Sequence, residues 1–161
     1  MLRCKPAEES FKKALLAFQN RKPKEALALF EAAVTLDSRS QTDGPVDPRY
    51  RSYYGLCLAM QGGKVREGLT LCRKAAEQEF YNHSIWMNLG RVELEAGNRA
   101  EAHAAFRRGF HLAPAAERKA FRRMLEIAGM RRKPFFSFLP RSHPLNRFIG
   151  RLTWRKRREG K

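Results

Sequence analysis

The chain has 161 residues, enough for one domain around one core. Lys and Arg number 33 against 16 Asp and Glu, a formal charge of +17. Residues 131–161 hold 11 basic residues and one acid, net +10, which leaves +7 for residues 1–130. This balance points to an acidic partner and carries no information about fold.

Three cysteines, Cys4, Cys57 and Cys72, form no CxxC pair and no disulfide lattice, so a reduced cytoplasmic setting is the simplest expectation. The opening MLRCKPAEESFKK lacks the apolar core of a signal peptide. No apolar run approaches the roughly 18 residues that a membrane span requires.

From Ala7 to Ser40, Phe11, Ala14, Leu15 and Phe18 follow helical spacing, and Asn20-Arg21-Lys22 breaks it. Pro23 stands where a first helical turn tolerates proline. Ala26-x3-Phe30, with Ala33 three residues on, predicts a second helix. Gln41 to Asp47 (QTDGPVD) is a polar loop punctuated by Gly44-Pro45, expected at the surface. Pro48 to Asn82 repeats the helix pair, with Gly55 and Leu58 in the first helix and a turn at Gln61-Gly62-Gly63. Gly68-x3-Cys72-x2-Ala75 marks its second helix.

His83 to Pro114 carries the clearest version of the pattern. Trp86, Leu89 and Gly90 share a helical face, Gly97-Asn98 breaks it, and Ala102, Phe106 and Gly109 resume it. Trp86-x2-Leu89-Gly90, Ala102-x3-Phe106 and Pro114 resemble the tetratricopeptide repeat, whose signature is W-x2-L-G-x2-Y, A-x3-F and P. Glu93 stands where that family has Tyr. In the preceding unit Arg51 replaces the Trp, Cys72 the Phe and Phe80 the Pro.

The resemblance implies an all-α, right-handed α–α superhelix, a tetratricopeptide-like solenoid. Its three repeats would cover 7–40, 48–82 and 83–116, with Trp86 filling the core between its two helices. Ala115 to Met130 reads as a capping helix over the last repeat, with Ala120, Leu125, Ile127 and Ala128 as its apolar residues. The repeats and cap would together make a domain over 7–130.

Residues 131–161 differ in character. Phe135 to Pro140 is an aromatic extended stretch, because Pro134, Pro140 and Pro144 forbid a continuous helix. Leu145, Phe148, Ile149 and Leu152 then fall at i, i+3, i+4 and i+7, with Arg147, Arg151 and Arg155 on another side. The spacing predicts a short amphipathic helix over 145–156 that ends in Lys156, Arg157 and Arg158.

No residue pattern suggests catalysis, a metal or a cofactor. His83, His103, His111 and His143 have no pairing at ligand spacing, and no G-x-S-x-G, phosphate loop or H-E-x-x-H occurs. What the resemblance implies is non-catalytic: an adaptor that holds a protein or peptide partner in the concave groove of the stacked repeats. Carried over position by position, the groove would be lined by Phe11, Leu15 and Phe18 from the first repeat. The second would contribute Arg49, Tyr53, Leu56 and Met60, and the third Ser84, Asn88, Arg91 and Glu95. For Leu15 and Leu56, packing against neighbouring helices stands equally open.

Some relatives clamp acidic chaperone C-termini with Lys, Asn and Arg. The matching positions here are Phe11, Leu15, Tyr53, Ser84 and Asn88, of which only Asn88 has suitable chemistry, so that function is not carried over. Three readings stay open for the extension. Its aromatic stretch (Phe135, Phe136, Phe138, Leu139) docks on the repeats, or the 145–156 helix lies on an anionic membrane, or it meets nucleic-acid phosphates. Docking is preferred, and membrane comes ahead of nucleic acid because of the amphipathic spacing. In the last two, Arg147, Arg151, Arg155, Lys156, Arg157 and Arg158 meet the anionic surface, and location becomes peripheral to the membrane in the second.

Overall fold

The computed structural model describes residues 5–40, 46–129, 136, 143–145 and 147–149. The chain divides after Gly129 into two units. The first contains α1 (Lys5–Gln19), α2 (Pro23–Ser40), α3 (Pro48–Gln61), α4 (Val65–Gln78), α5 (His83–Glu95), α6 (Arg99–Leu112) and α7 (Arg118–Ala128). Consecutive helices pair as α1–α2, α3–α4 and α5–α6, the pairs stack through α2–α3, α3–α5 and α4–α5, and α7 closes on α6. The result is a right-handed α–α superhelix.

In the second unit residues 144–145 and 147–149 are helical, and the Arg147 N–H donates to the His143 carbonyl at 3.1 Å. Most of the aromatic stretch and of the predicted 145–156 helix lies outside the described residues, as do residues 41–45.

Local chemistry places the helix ends. Asp47 caps α3 by accepting the Arg49 N–H on its carboxylate at 2.8 Å, with Pro48 as the first helical residue. Asn82 caps α5 in the same way through the Ser84 N–H at 3.1 Å. The turns inside the three pairs share one backbone feature. Two residues before the second helix, Gly63 (φ 65°), Gly97 (φ 81°) and Arg21 (φ 57°) all adopt the left-handed conformation. Glycine does so without steric cost, whereas Arg21 must place its Cβ against its own carbonyl.

Rings dominate the core at the first junction. Phe11 of α1 sits 4.7 Å from the Tyr50 ring and 5.7 Å from Phe30, and Phe30 stacks on Tyr53 at 5.5 Å. The second junction has aliphatic and small residues instead of rings: Leu56, Ala59, Cys72, Ala75, Ile85, Leu89 and Val92 are all buried. There the helices meet almost backbone to backbone. A Cβ added to Gly55 would lie 2.8 Å from the Gly68 carbonyl oxygen, and one on Gly68 would strike the Gly55 carbonyl. Cys72 in place of a phenylalanine permits this approach, because a ring would hold the helices apart. In the third pair a ring returns, with Phe106 filling the notch left by Gly90.

Two expectations, for Trp86 and for the apolar face of α7, need correction, and the Glu93 departure finds its partners. Trp86 is only half-buried: its indole N–H donates to the Phe80 carbonyl at 2.7 Å, and the Arg108 guanidinium lies 4.7 Å over its ring. Phe106 and Ile85 fill the interior in its stead. Glu93, at the family's Tyr position, is 3% exposed and takes the Arg73 guanidinium at 2.8 and 3.0 Å and the Asn98 amide at 2.8 Å. The apolar anchor of α7 is Phe121, which enters the notch at Gly109, with Ala128 two turns on; Ala120 and Ile127 face solvent.

Three outcomes are expected from this packing. Gly68→Ala gains about 1 kcal/mol of helix propensity but forces two backbones apart, so chemical denaturation should show a net loss of roughly 1–2 kcal/mol. Arg21→Gly relieves the left-handed turn at an exposed site and should raise stability by about 0.5–1 kcal/mol, read as a higher melting temperature.

The third concerns pH. Burial pushes the Cys72 thiol up to about 12 and the Cys57 thiol up to about 11, against an ordinary value near 9. Folded thiols stay protonated where unfolded ones ionise, so their contribution is complete below about pH 9 and is lost as pH rises towards 12. The melting temperature should fall progressively above that point, and Cys72→Ala should make the fall shallower.

Candidate functional site

The groove expected from the repeat resemblance would be formed by the first helices, α1, α3 and α5, and of these α3 packs on α5. The side chains brought together there define two adjoining regions that share Tyr53.

The first region is centred on Arg91 of α5. Its guanidinium carbon lies 5.7 Å over the Phe18 ring of α1, and one terminal nitrogen is 3.4 Å from the Met60 sulfur of α3. Burial pulls the guanidinium below its ordinary value, against smaller raising influences from Cys57 and Tyr53. No carboxylate among the described residues reaches it within ion-pair distance. Met60 is 42% exposed, so the apolar edge of this region opens to solvent.

The second region is a cavity of about 230 Å³ lined by Tyr53, Ser84, Met87, Asn88, Ala120 and Phe121, with His83 and Glu117 at its side. The His83 imidazole and Glu117 carboxylate meet at 2.9 Å, linking α5 to the residue just before α7. Burial raises the Tyr53 hydroxyl above its ordinary value, against a lowering hydrogen bond with Ser84.

The residues expected at the groove separate into distinct groups. Phe18, Tyr53, Met60, Ser84 and Arg91 contribute to the two regions above. Leu15 is half-buried against the first core cluster, and Glu95 is exposed one turn beyond Arg91.

Phe11 and Asn88 are corrections, and for Leu56 the packing alternative is the one observed. Phe11 is 4% exposed, held among Phe30, Tyr50 and Tyr53. Leu56 is fully buried in the second core cluster. Asn88 is 3% exposed, and its amide donates to the Ser52 hydroxyl at 3.2 Å. All three have their contacts inside the fold.

Arg49 is likewise engaged. It bridges Asp47 at 2.8 Å and Glu8 at 3.1 Å, while the Tyr50 hydroxyl donates to the same Glu8 oxygen at 2.6 Å. Its guanidinium is raised, chiefly by the hydrogen bond to Asp47. Of the tail cations, Arg147 is exposed, and Arg151, Arg155, Lys156, Arg157 and Arg158 lie outside the described residues.

Met87, Phe121 and Glu117 were not anticipated at this face. The signal was available for Phe121, since it precedes the Leu125–Ala128 pair at helical spacing, but Gly109 had to be recognised as its receptor. Among the described residues no group of three or more His, Cys, Asp or Glu side chains is arranged to hold a metal, and no helix is long and apolar enough to cross a membrane.

Comparison with solved structures identifies chains of the same architecture. The tetratricopeptide domain of Sgt2 from Aspergillus fumigatus superposes with a TM-score of 0.63 at 16% identity, covering 78% of each chain. PcrH from Pseudomonas aeruginosa superposes at 0.59 with 20% identity, covering 80% of this chain and 95% of its own. PcrH in complex with the chaperone binding region of PopD gives 0.58 at 22% identity, covering 80% and 96%. No curated protein sequence matches the chain.

The tetratricopeptide repeat model matches residues 11–82 and again 59–117. These overlapping matches span all three helix pairs, and the chain belongs to the tetratricopeptide repeat family.

Proposed function

We propose that the chain is a non-catalytic adaptor that holds a segment of a partner protein on the face formed by α1, α3 and α5. In this reading the repeats occupy 7–40, 48–82 and 83–116, α7 caps them within 115–130, and residues 131–161 form a separate basic element. The observation that carries it is the meeting of Phe18, Tyr53, Met60 and Arg91. These side chains come from three helices, pack side by side and remain partly open to solvent.

Such a combination of apolar surface and one fixed cation suits a helix or an extended segment with hydrophobic anchors. PcrH, of the same fold, has been solved with the chaperone binding region of PopD, which supports segment capture as a use of this architecture. A reducing location, as the unpaired buried thiols Cys57 and Cys72 suggest, fits the same reading.

A crosslinking pull-down from native lysate tests it. Met60→Asp and Phe18→Asp should abolish capture of a partner, whereas Arg66→Asp on the exposed side of α4 and truncation before Arg131 should leave it intact. Loss of capture on truncation, or copurification of nucleic acid that salt removes, would move the function to the basic extension.

A further inference from the structure

We infer that Arg91 is the anion-receiving group of this face, and that the partner segment presents a carboxylate to it beside an apolar side chain seated on Phe18 and Met60. The inference rests on the adaptor reading and specifies the chemistry of what is held.

Three observations lead to it. The guanidinium is fixed in place by contacts from two other helices, the Phe18 ring on α1 and the Met60 sulfur on α3. Neither contact neutralises its charge. Burial disfavours the charged form, so the site carries a desolvation cost that an incoming anion would relieve.

The surrounding acids do not serve that purpose. Glu95, one turn further along α5, is exposed and makes no ion pair with Arg91, and Glu117, beyond Tyr53, is engaged by His83. Two other guanidiniums that cross between helices have acids, Arg49 with Glu8 and Asp47 and Arg73 with Glu93, whereas Arg108 and Arg122 lie over rings at the exposed surface. Arg91 is half-buried and touches only the Phe18 ring and the Met60 sulfur, so most of its five donors are unspent among the described residues. Arginine suits such a position because it is weakly hydrated, stacks on rings and binds carboxylates bidentately. The apolar neighbours Phe18 and Met60 add a surface for the residue next to the carboxylate.

A phage-displayed library of random twelve-residue peptides, panned on the full-length protein, is the probe. Wild type should enrich peptides with Asp or Glu adjacent to Leu, Ile, Met or Phe. Binding of a selected synthetic peptide, read by fluorescence polarisation, should weaken about ten- to hundredfold for Arg91→Gln and for the Asn or Gln version of the peptide, with little additive loss when both are changed. Arg91→Lys should restore part of the affinity, and circular dichroism should show that each variant folds.

Amidating the peptide C-terminus tells a terminal carboxylate from a side-chain one, and sensitivity to either meets the inference. Enriched peptides that lose binding with Met60→Asp yet lack acids and ignore Arg91→Gln would overturn it while keeping the adaptor reading. Failure to enrich any peptide sensitive to Met60→Asp would overturn both.

Discussion

In the second and third pairs and at the cap, helices come close where a side chain has been removed, and the neighbour decides what enters the gap. At Gly90 and Gly109 the gap admits a ring, from Phe106 and Phe121 respectively. At Gly55 and Gly68 it admits backbone, each glycine facing the other's carbonyl oxygen. Both arrangements bring the helices to close contact, where dispersion attraction summed over many atoms outweighs what any single contact supplies. The cysteine at position 72 follows from the second arrangement. With Gly55 and Gly68 meeting directly, the space that Phe30 and Phe106 fill in the flanking pairs does not exist, and the Cys72 thiol fits beneath the Ser52 carbonyl at 3.3 Å.

Close packing makes stranded polar groups costly, and those buried between pairs are all matched. Ser52 and Asn88 join α3 to α5, Arg73 and Glu93 join α4 to α5, and the Asp37 carboxylate accepts the Asp47 N–H at 2.7 Å where the chain enters α3. Among the described residues no buried side-chain nitrogen or oxygen lacks a partner. Because each bond connects elements of successive pairs, sliding one pair along the next would break it and leave a desolvated group behind. Apolar contacts tolerate such sliding more readily. The polar pairs therefore set the register that the ring and glycine contacts stabilise.

The periodic elements were legible in the sequence because helical spacing, proline at a first turn and glycine at a tight turn act locally. Trp86-x2-Leu89-Gly90 and Ala102-x3-Phe106 located the third pair, and the small residues at Gly55 and Gly68 located the second without its aromatic markers. The groove was less legible. Position along a helix gives the direction of a side chain but not how deeply its neighbours cover it. Leu56 and Phe11, read as groove positions, are buried by residues from other helices. Trp86 erred in the opposite way, since Phe106 and Ile85 already fill the interior and its ring rests under Arg108 at the surface. Glu93 read as a departure from the family pattern until Arg73, 20 residues earlier, supplied its countercharge.

The same depth argument distinguishes the cations. A guanidinium drawn into a helical stack loses hydration, and the loss must be offset by an acid, by a ring or by leaving the group near solvent. Arg49 and Arg73 follow the first course, and Arg108 combines the second with the third. Arg91 takes a ring and a thioether only, at a depth where burial already lowers its proton affinity. A leucine there would pack against Phe18, Tyr53 and Met60 without that cost. Glu93, Asp37 and Asn88 meet their partners within the fold, whereas Arg91 keeps part of its surface in water and has no acid among the described residues. It is therefore the position where a carboxylate from a partner, as proposed, would add what the stack does not supply.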